Sequence, residues 1–297
     1  LAAAELGASL FQARRYSEAD AAFLAAYRGL KGAAKAAQAL ARGNVAMALK
    51  QPEQADALYR EAQTLAAGDM GIQVAAGLNL ARLAPENERL KALATLVPML
   101  DRISDPALQA AHRINLGQQA RLLGPDGLEL AWTQLDAAAK SLQPLGNSRL
   151  QVEALDGLAQ LYEEQVRTAE AGHLTDQALT MADVLPAAAM SDLKINLYWR
   201  AGRLQSASGK TAAAIVSYQQ AVDLIEANRM DIPIEYEDGR SSYQSLMEPV
   251  YDGLMDLLLQ SAAAQTPVQQ QSIFQRVSNT SELLKQTEMQ DFLGDRC

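Results

Sequence analysis

Small and aromatic residues recur at fixed intervals along this sequence, and the pattern predicts pairs of packed helices. The order is small, small, aromatic, small, at intervals of 12, 4 and 3 residues, in the sets Gly7/Ala19/Phe23/Ala26, Gly43/Ala55/Tyr59/Ala62 and Gly202/Ala214/Tyr218/Ala221. A glycine lets a second backbone come close, and alanines fit an inner face where larger side chains would push two helices apart. The aromatic residue fills the space between one pair and the next. Each set therefore predicts one unit of two short helices.

Less regular copies of this pattern occupy most of the chain. Signature glycines at 7, 43, 77, 117, 157 and 202 define six units at about 2–31, 33–67, 70–101, 105–143, 147–185 and 188–228. In the third unit, leucines at 90, 93, 96 and 100 replace alanines, so its helices are predicted to pack differently. In the first unit, we expect Ser17 to cap the second helix. The whole pattern resembles the tetratricopeptide repeat (TPR), which builds solenoids from helix pairs.

This resemblance implies an all-α fold, a right-handed α-α superhelix of about six helix pairs plus a C-terminal helix pair. We divide the chain into a repeat array at 1–229, a linker at 230–239 and the C-terminal pair at 240–297. The last two helices are predicted at about 240–264 and 267–292. The packed face of the final helix is predicted to carry Ile273, Val277, Leu284 and Phe292.

In TPR proteins the first helix of each unit faces a concave groove, and fixed positions around the signature glycine point into it. These positions lie two, three and six residues before the glycine and one and four residues after it. Here they hold Asn44, Asn115, Gln118, Arg121, Asn196, Trp199, Arg200 and Arg203. Asparagine can hydrogen-bond an extended peptide backbone and arginine can bind a carboxylate, so the resemblance implies a peptide or protein ligand.

A second interpretation of these groove residues stays open. They are also compatible with ordinary helix-surface positions that pair with nearby acidic side chains. Trp199 in particular fits packing between helices better than it fits a ligand platform. The groove residues are therefore candidates for partner binding, and their side-chain partners decide between the two interpretations.

Two patterns near the end of the chain carry a second resemblance. Residues 250–259 are VYDGLMDLLL, and residues 282–297 are ELLKQTEMQDFLGDRC. After a repeat array, these resemble the segment that joins the repeats to the peptidase in CHAT proteins, which are caspase-like peptidases associated with TPRs. In that family the cysteine at the Cys297 position is not the nucleophile, and the catalytic residues lie farther downstream. The resemblance implies a regulatory array that ends before a CHAT peptidase domain in cis. The alternative is that both patterns are amphipathic helices capping a solenoid.

Charge and composition disfavour several classes of partner. The formal net charge is −9 and the pI is about 4.9, which disfavours binding to nucleic acid and to an anionic membrane. Cys297 is the only cysteine, so no internal disulfide and no cysteine-rich metal site are expected. No apolar run reaches the length of about 18 residues that suggests a membrane span. The chain begins with Leu1, so we expect the native N-terminus, with any leader, to be missing; the compartment stays open.

No group of residues predicts catalysis. His112 and His173 lie in different units, have no metal-ligand spacing to other ligands, and are predicted to be partly exposed on helix surfaces. No phosphate-binding loop and no GxSxG motif is present. We expect no catalytic residue, no metal and no cofactor. The predicted function is a protein-interaction and regulatory module that controls an attached CHAT peptidase; the alternative is a stand-alone TPR scaffold or co-chaperone-like adaptor.

Overall fold

The computed structural model describes residues 2–146, 148–229, 232, 242–263 and 265–293, with side chains as far as residue 289. Within these ranges the chain is helical and contains no strand, which confirms the predicted all-α class. The helices are α1 Ala2–Gln12, α2 Tyr16–Arg28, α3 Gly32–Ala48, α4 Pro52–Leu65, α5 Met70–Leu83, α6 Glu86–Leu100, α7 Pro106–Arg121, α8 Leu128–Leu142, α9 Arg149–Glu164, α10 Thr168–Asp183, α11 Ala187–Ala207, α12 Thr211–Ala227, α13 Glu248–Ala262 and α14 Pro267–Leu293. Short 3₁₀ turns flank α8, and one π-helical turn, Tyr243–Met247, precedes α13.

The chain divides into two compact units, Leu1–Gly146 and Asn147–Cys297. The first unit holds α1 to α8 as four helix pairs, and the second holds α9 to α14 as three. Inside each unit every helix packs against the next one along the chain. Three pairs of first helices also touch, since α3 contacts α5, α5 contacts α7 and α9 contacts α11. The predicted linker at 230–239 lies outside the described residues apart from Ile232, so the division at 229 stays a prediction.

Five signature glycines, those at 7, 43, 77, 117 and 202, lie against a large side chain from the second helix of their own pair. A methyl group on Gly43 would lie only 2.4 Å from the Tyr59 ring, and one on Gly7 would lie 2.6 Å from Phe23. The alanines at the other positions of the pattern are buried as predicted, including Ala19, Ala55, Ala62, Ala214 and Ala221, whereas Ala26 is half-buried. The spacing of small and aromatic residues therefore reports a real contact between the two helices of a pair.

Leucines replace the aromatic residue in the third and fourth repeats, which are two of the three less regular ones. Leu96 of α6 covers Gly77 of α5, where an added methyl group would lie 2.5 Å away. Leu135 of α8 covers Gly117 of α7 at 2.7 Å. Leu93 and Leu100 of α6 are also buried, so α6 packs through leucines where the regular units use alanines, as predicted.

Tyr218 of α12 joins two successive helix pairs. One edge of its ring lies 2.4 Å from the position of a methyl group on Gly202, in α11 of the same pair. The other edge lies 2.4 Å from the position of a methyl group on Gly253, in α13 of the next pair. Gly253 thus acts as a further signature glycine, which the sequence analysis did not identify because the C-terminal pair lacks the rest of the pattern.

The final helix packs as its apolar pattern indicated. Ile273, Val277 and Leu284 contact a cluster of buried residues from α12, the π-helical turn and α13. The side chain of Phe292, the fourth predicted member of this face, lies outside the described residues. No described helix is long and apolar enough to cross a lipid bilayer.

In four helix pairs the turn between the two helices contains one residue with left-handed backbone geometry at the same place. Arg14, Lys50 and Val166 have φ values of 57°, 58° and 60°, and Gly209 has a φ of 73° at the same place in its turn. The predicted N-cap at Ser17 is wrong, because α2 begins at Tyr16 with Arg15 in the capping position. The left-handed residue Arg14 starts α2 earlier than predicted, and Arg15 forms a bidentate pair with Glu18 in the first turn.

We predict that Gly202→Ala lowers the free energy of unfolding by about 1–3 kcal/mol through overpacking. The new methyl group would meet the Tyr218 ring, and Gly253 on the other edge leaves the ring no room to move away. Gly172→Ala in α10 is the matched control, because a methyl group there meets nothing within 4 Å. We expect it to gain about 0.5–1 kcal/mol from helix propensity. Urea denaturation of both variants measures the difference, and similar changes in the two would contradict the contact.

Candidate partner-binding face

The candidate site consists of the polar side chains that the first helices carry around their signature glycines, which we call the inner face. In Leu1–Gly146 it includes Asn44 on α3, next to Gly43. The Asn44 side-chain oxygen accepts hydrogen bonds from the Tyr59 hydroxyl at 2.9 Å and from the Asn79 amide at 3.1 Å. Because both donors fix the oxygen, the exposed amide NH₂ of Asn44 faces solvent with two donors to offer. The aromatic residue that packs on the glycine therefore also orients an inner-face side chain.

The inner face of the first unit continues along α5 and α7. On α5, the Asn79 oxygen accepts a hydrogen bond from exposed Arg82 at 2.5 Å. On α7, the oxygen of exposed Asn115 accepts from Gln119 at 2.7 Å, so its amide NH₂ is also turned outward. Arg121 donates to the Gln118 side chain at 3.0 Å. The structure thus places four predicted residues, Asn44, Asn115, Gln118 and Arg121, on first helices of one unit.

Arg200 of α11, in the second unit, lies inside the protein. It is 1% exposed and is the largest fully buried side chain among the described residues. Its guanidinium donates to Asp156 of α9 at 2.5 Å and to Glu163 of α9 at 3.2 Å. Asp156 is itself only 7% exposed. Arg200 therefore holds α9 and α11 together, and its place in a ligand groove stays a prediction.

Arg203 shares the same carboxylate. Its guanidinium binds Glu163 through two hydrogen bonds of 2.8 and 2.9 Å. The guanidinium also stacks on the Trp199 ring, 4.3 Å from its centroid, and the Arg203 side chain is 34% exposed. Trp199 is half-buried and packs against the core of α12 and α13, which agrees with the packing interpretation of this residue.

A second set of ion pairs joins α9 and α11 near their N-terminal ends. Arg149 binds Asp192 through hydrogen bonds of 2.9 and 2.6 Å and pairs with Glu153 at 2.7 Å. Beside it, the Asn196 amide donates to the Asp192 carbonyl at 3.2 Å, which leaves the Asn196 side-chain oxygen as an acceptor. The contact between α9 and α11 is thus held by charge pairs along much of its length.

Several residues of this face escaped the sequence analysis. Asn79 and Arg82 lie two and five residues after Gly77, and Asp156 and Glu163 lie one before and six after Gly157. None of these offsets belongs to the groove positions that the repeat pattern supplies. The sequence did contain one signal for the ion network. An acidic residue, Asp156, lies beside the signature glycine of α9, and two arginines lie on α11, the first helix of the next pair.

The two histidines lie in different environments. His173 is exposed on α10. His112 on α7 is half-buried, as expected for a partly exposed residue on a helix surface. It hydrogen-bonds the backbone of Gly71, and its Nε2 atom is buried without a hydrogen-bond partner. Burial lowers the pKa of His112, and the bond to Gly71 opposes that shift. No group of three or more potential metal ligands occurs among the described residues.

We predict that Asp156→Asn lowers the free energy of unfolding by about 3 kcal/mol. The reason is that the buried Arg200 charge would lose its shortest carboxylate contact, and breaking a buried pair costs more than the pair contributes. Asp136→Asn is the control, because its pair with Lys140 on α8 lies at the surface. We expect that change to cost at most about 0.5 kcal/mol. If guanidinium denaturation gives similar losses for the two variants, the Arg200 network does not stabilise the fold.

We predict that His112 makes the protein less stable as the pH falls. The folded state favours neutral imidazole, so this contribution is fully present above the unfolded-state pKa of about 6.5 and is lost as the pH falls through the lower folded-state pKa. His112→Leu should therefore flatten the decline in unfolding free energy between about pH 7.5 and 5.5, and the exposed-site control His173→Gln should not. An unchanged decline in His112→Leu would show that other groups cause it.

Three solved structures share this fold at low sequence identity. BtubC (BKLC) from P. vanneervenii is 18% identical with a TM-score of 0.58, over 66% of this chain and 82% of that one. PH0952 from Pyrococcus horikoshii, a Signal Transduction ATPase with Numerous Domains (STAND) that has a tetratricopeptide repeat sensor, is 12% identical with a TM-score of 0.68. That match covers 98% of this chain but 44% of PH0952, so the chain spans less than half of it. A Rap protein in complex with Competence and Sporulation Factor is 15% identical with a TM-score of 0.54, over 96% of this chain and 75% of that one.

These likenesses show that the chain has a TPR-like helical solenoid fold, as the repeat pattern predicted. No protein-family model matches the sequence. No curated protein matches it either.

Proposed function

We propose that this chain is a regulatory interaction module that binds an extended peptide or protein segment on its inner face. The observation that carries the proposal is Asn44, whose amide NH₂ is aimed at solvent because Tyr59 and Asn79 hold its oxygen. A side chain fixed in this way loses little conformational entropy when it binds a peptide carbonyl. The fold supports the proposal, since one protein with this fold was solved with a bound factor and another carries a TPR sensor.

The spacing of the first helices suits an extended peptide. The helices α3, α5 and α7 contact one another in sequence, and packed helices lie about 8–10 Å apart. An extended chain advances about 3.3–3.6 Å per residue, so successive helices would meet roughly every third residue of a ligand. Asn44 on α3 and Asn115 on α7, which lie at the two ends of this series of three helices, would then donate to two different carbonyls of the peptide.

The second unit would use its arginines differently. Arg203 is partly exposed and binds Glu163 through Nε and Nη2, while its Nη1 atom is buried without a hydrogen-bond partner. A ligand carboxylate would bind Arg203 by taking over contacts that Glu163 now makes. Arg200 is too deeply buried to meet a ligand directly and would position Glu163. In this proposal Arg203 is the ligand-binding arginine, while Asn196 and Trp199 flank it on α11.

We also propose that the module controls a CHAT peptidase in the same polypeptide. The two C-terminal sequence patterns support this, and they fall on α13 and on the end of α14. Reading the native gene beyond the codon for Cys297 tests it directly. A caspase-like domain there would support control in cis, whereas an immediate stop codon would overturn it and favour the stand-alone scaffold or adaptor.

We predict that Asn44→Ala weakens the binding of peptides that are selected from a random display library against the whole chain. Loss of one neutral hydrogen bond corresponds to an affinity loss of about fivefold. The matched control is Asn87→Ala, which removes an exposed asparagine from the second helix α6. Fluorescence anisotropy gives both affinities, and thermal unfolding shows whether either variant is misfolded. Equal affinity of both variants and the wild type would place the peptides away from the inner face.

A further inference from the structure

A cavity of about 620 Å³ lies among α10, α11 and α12, all within Asn147–Cys297. This volume is typical of small-molecule sites. Its floor is a stripe of α11 formed by Ala201, Leu204, Gln205 and Ser208 at helical spacing. That stripe faces a different direction from Trp199 and Arg203, so the cavity is separate from the inner face.

Small residues keep the cavity open. The wall from α10 includes Ala169 and Gly172, and the wall from α12 includes Ala213. A methyl group added to Gly172 would meet no atom within 4 Å. The helices α10 and α12 both pack on α11, so the cavity spans the gap that α11 leaves between them.

Two polar side chains of the floor, Gln205 and Ser208, each keep hydrogen-bonding capacity for a ligand, one as a donor and the other as an acceptor. The Gln205 side-chain oxygen accepts a hydrogen bond from Ser217 at 2.9 Å, which leaves its NH₂ group free to donate. The Ser208 hydroxyl donates to the Leu204 carbonyl at 2.8 Å, which leaves its oxygen lone pairs free to accept. One donor and one acceptor beside the apolar Leu204 match the C=O and N–H of a peptide group next to an apolar side chain.

Opposite charges stand on the two walls. Asp176 projects from α10 and Lys210 from the start of α12, and both line the cavity. Among the described residues neither forms an ion pair, and they do not pair with each other across the gap. A carboxylate and an ammonium held apart in this way are complementary to a ligand that carries an ammonium at one end and a carboxylate at the other.

We propose that this cavity binds a short peptide with free termini. Asp176 receives the terminal ammonium, Lys210 receives the terminal carboxylate, and Gln205 and Ser208 bind the peptide group between them. A central apolar side chain rests on Ala201 and Leu204. An extended tripeptide spans about 7–10 Å between its ends, so its two terminal charges lie farther apart than those of a free amino acid.

Titration calorimetry of the whole chain with the tripeptide Ala-Leu-Ala tests this proposal. We expect binding at about 1 mM or tighter, and about tenfold weaker binding to Lys210→Gln and to Asp176→Asn. The same peptide with acetylated and amidated ends should lose affinity for the wild type by at least that factor. Gly172→Leu should abolish binding by filling the cavity, while the matched control Gly172→Ala should retain it.

Two results would overturn the proposal. Absence of binding by the free tripeptide would mean that the cavity is an open channel filled with solvent. Equal binding of the free and blocked peptides, or equal binding to Gly172→Leu and Gly172→Ala, would mean that the peptide binds elsewhere. The Asn44→Ala variant separates this site from the inner face, because it should leave Ala-Leu-Ala binding unchanged.

Discussion

The fold depends on the contact between a glycine in one helix and a large side chain in the next. A helical glycine has no side chain to hold the second helix away, so Phe23, Tyr59 and Tyr218 reach the backbone of the facing helix. Such a contact fixes both the separation of two helices and their register, because a shift of one residue would bring a side chain against the ring. Leu96 and Leu135 fill the same space with a smaller, branched group. The repeats of Gly77 and Gly117 therefore keep the contact but change its shape.

A different interaction stabilises the compact unit Asn147–Cys297. Burial of Arg200 and Asp156 between α9 and α11 removes two charges from water at a large cost, and their mutual attraction offsets that cost only in good geometry. A hydrophobic contact would tolerate small slides of one helix along the other, but the bidentate Arg203 pair and the Arg200 contacts do not. The network thus specifies one arrangement of α9 against α11. It also explains why this acidic protein carries a cluster of arginines.

Local spacing made the helix pairs predictable, whereas side-chain partners were not. The intervals around Gly43 and Gly202 lie within single pairs, so they are visible in the sequence, and the helices follow them closely. The burial of Arg200 depends on Asp156, 44 residues earlier. A position in the repeat indicates where a side chain points, but it does not identify the partner that the side chain contacts. Asn44 was identified from its position alone, but its orientation needed the Tyr59 hydroxyl. Ser17 failed as a cap because turn geometry and an arginine–glutamate pair outweighed a local propensity.

The position of Tyr218 between two glycines has a consequence for motion. An aromatic side chain turns over only when its surroundings open enough to let the ring edges pass, so ring rotation in a tight site reports on collective breathing. Here the ring edges abut the backbones of α11 and α13, while the ring itself belongs to α12. A half-turn of Tyr218 therefore needs three helices to separate together. The rate at which the ring flips therefore measures how often the three helices separate, and NMR of the Tyr218 aromatic protons can determine it.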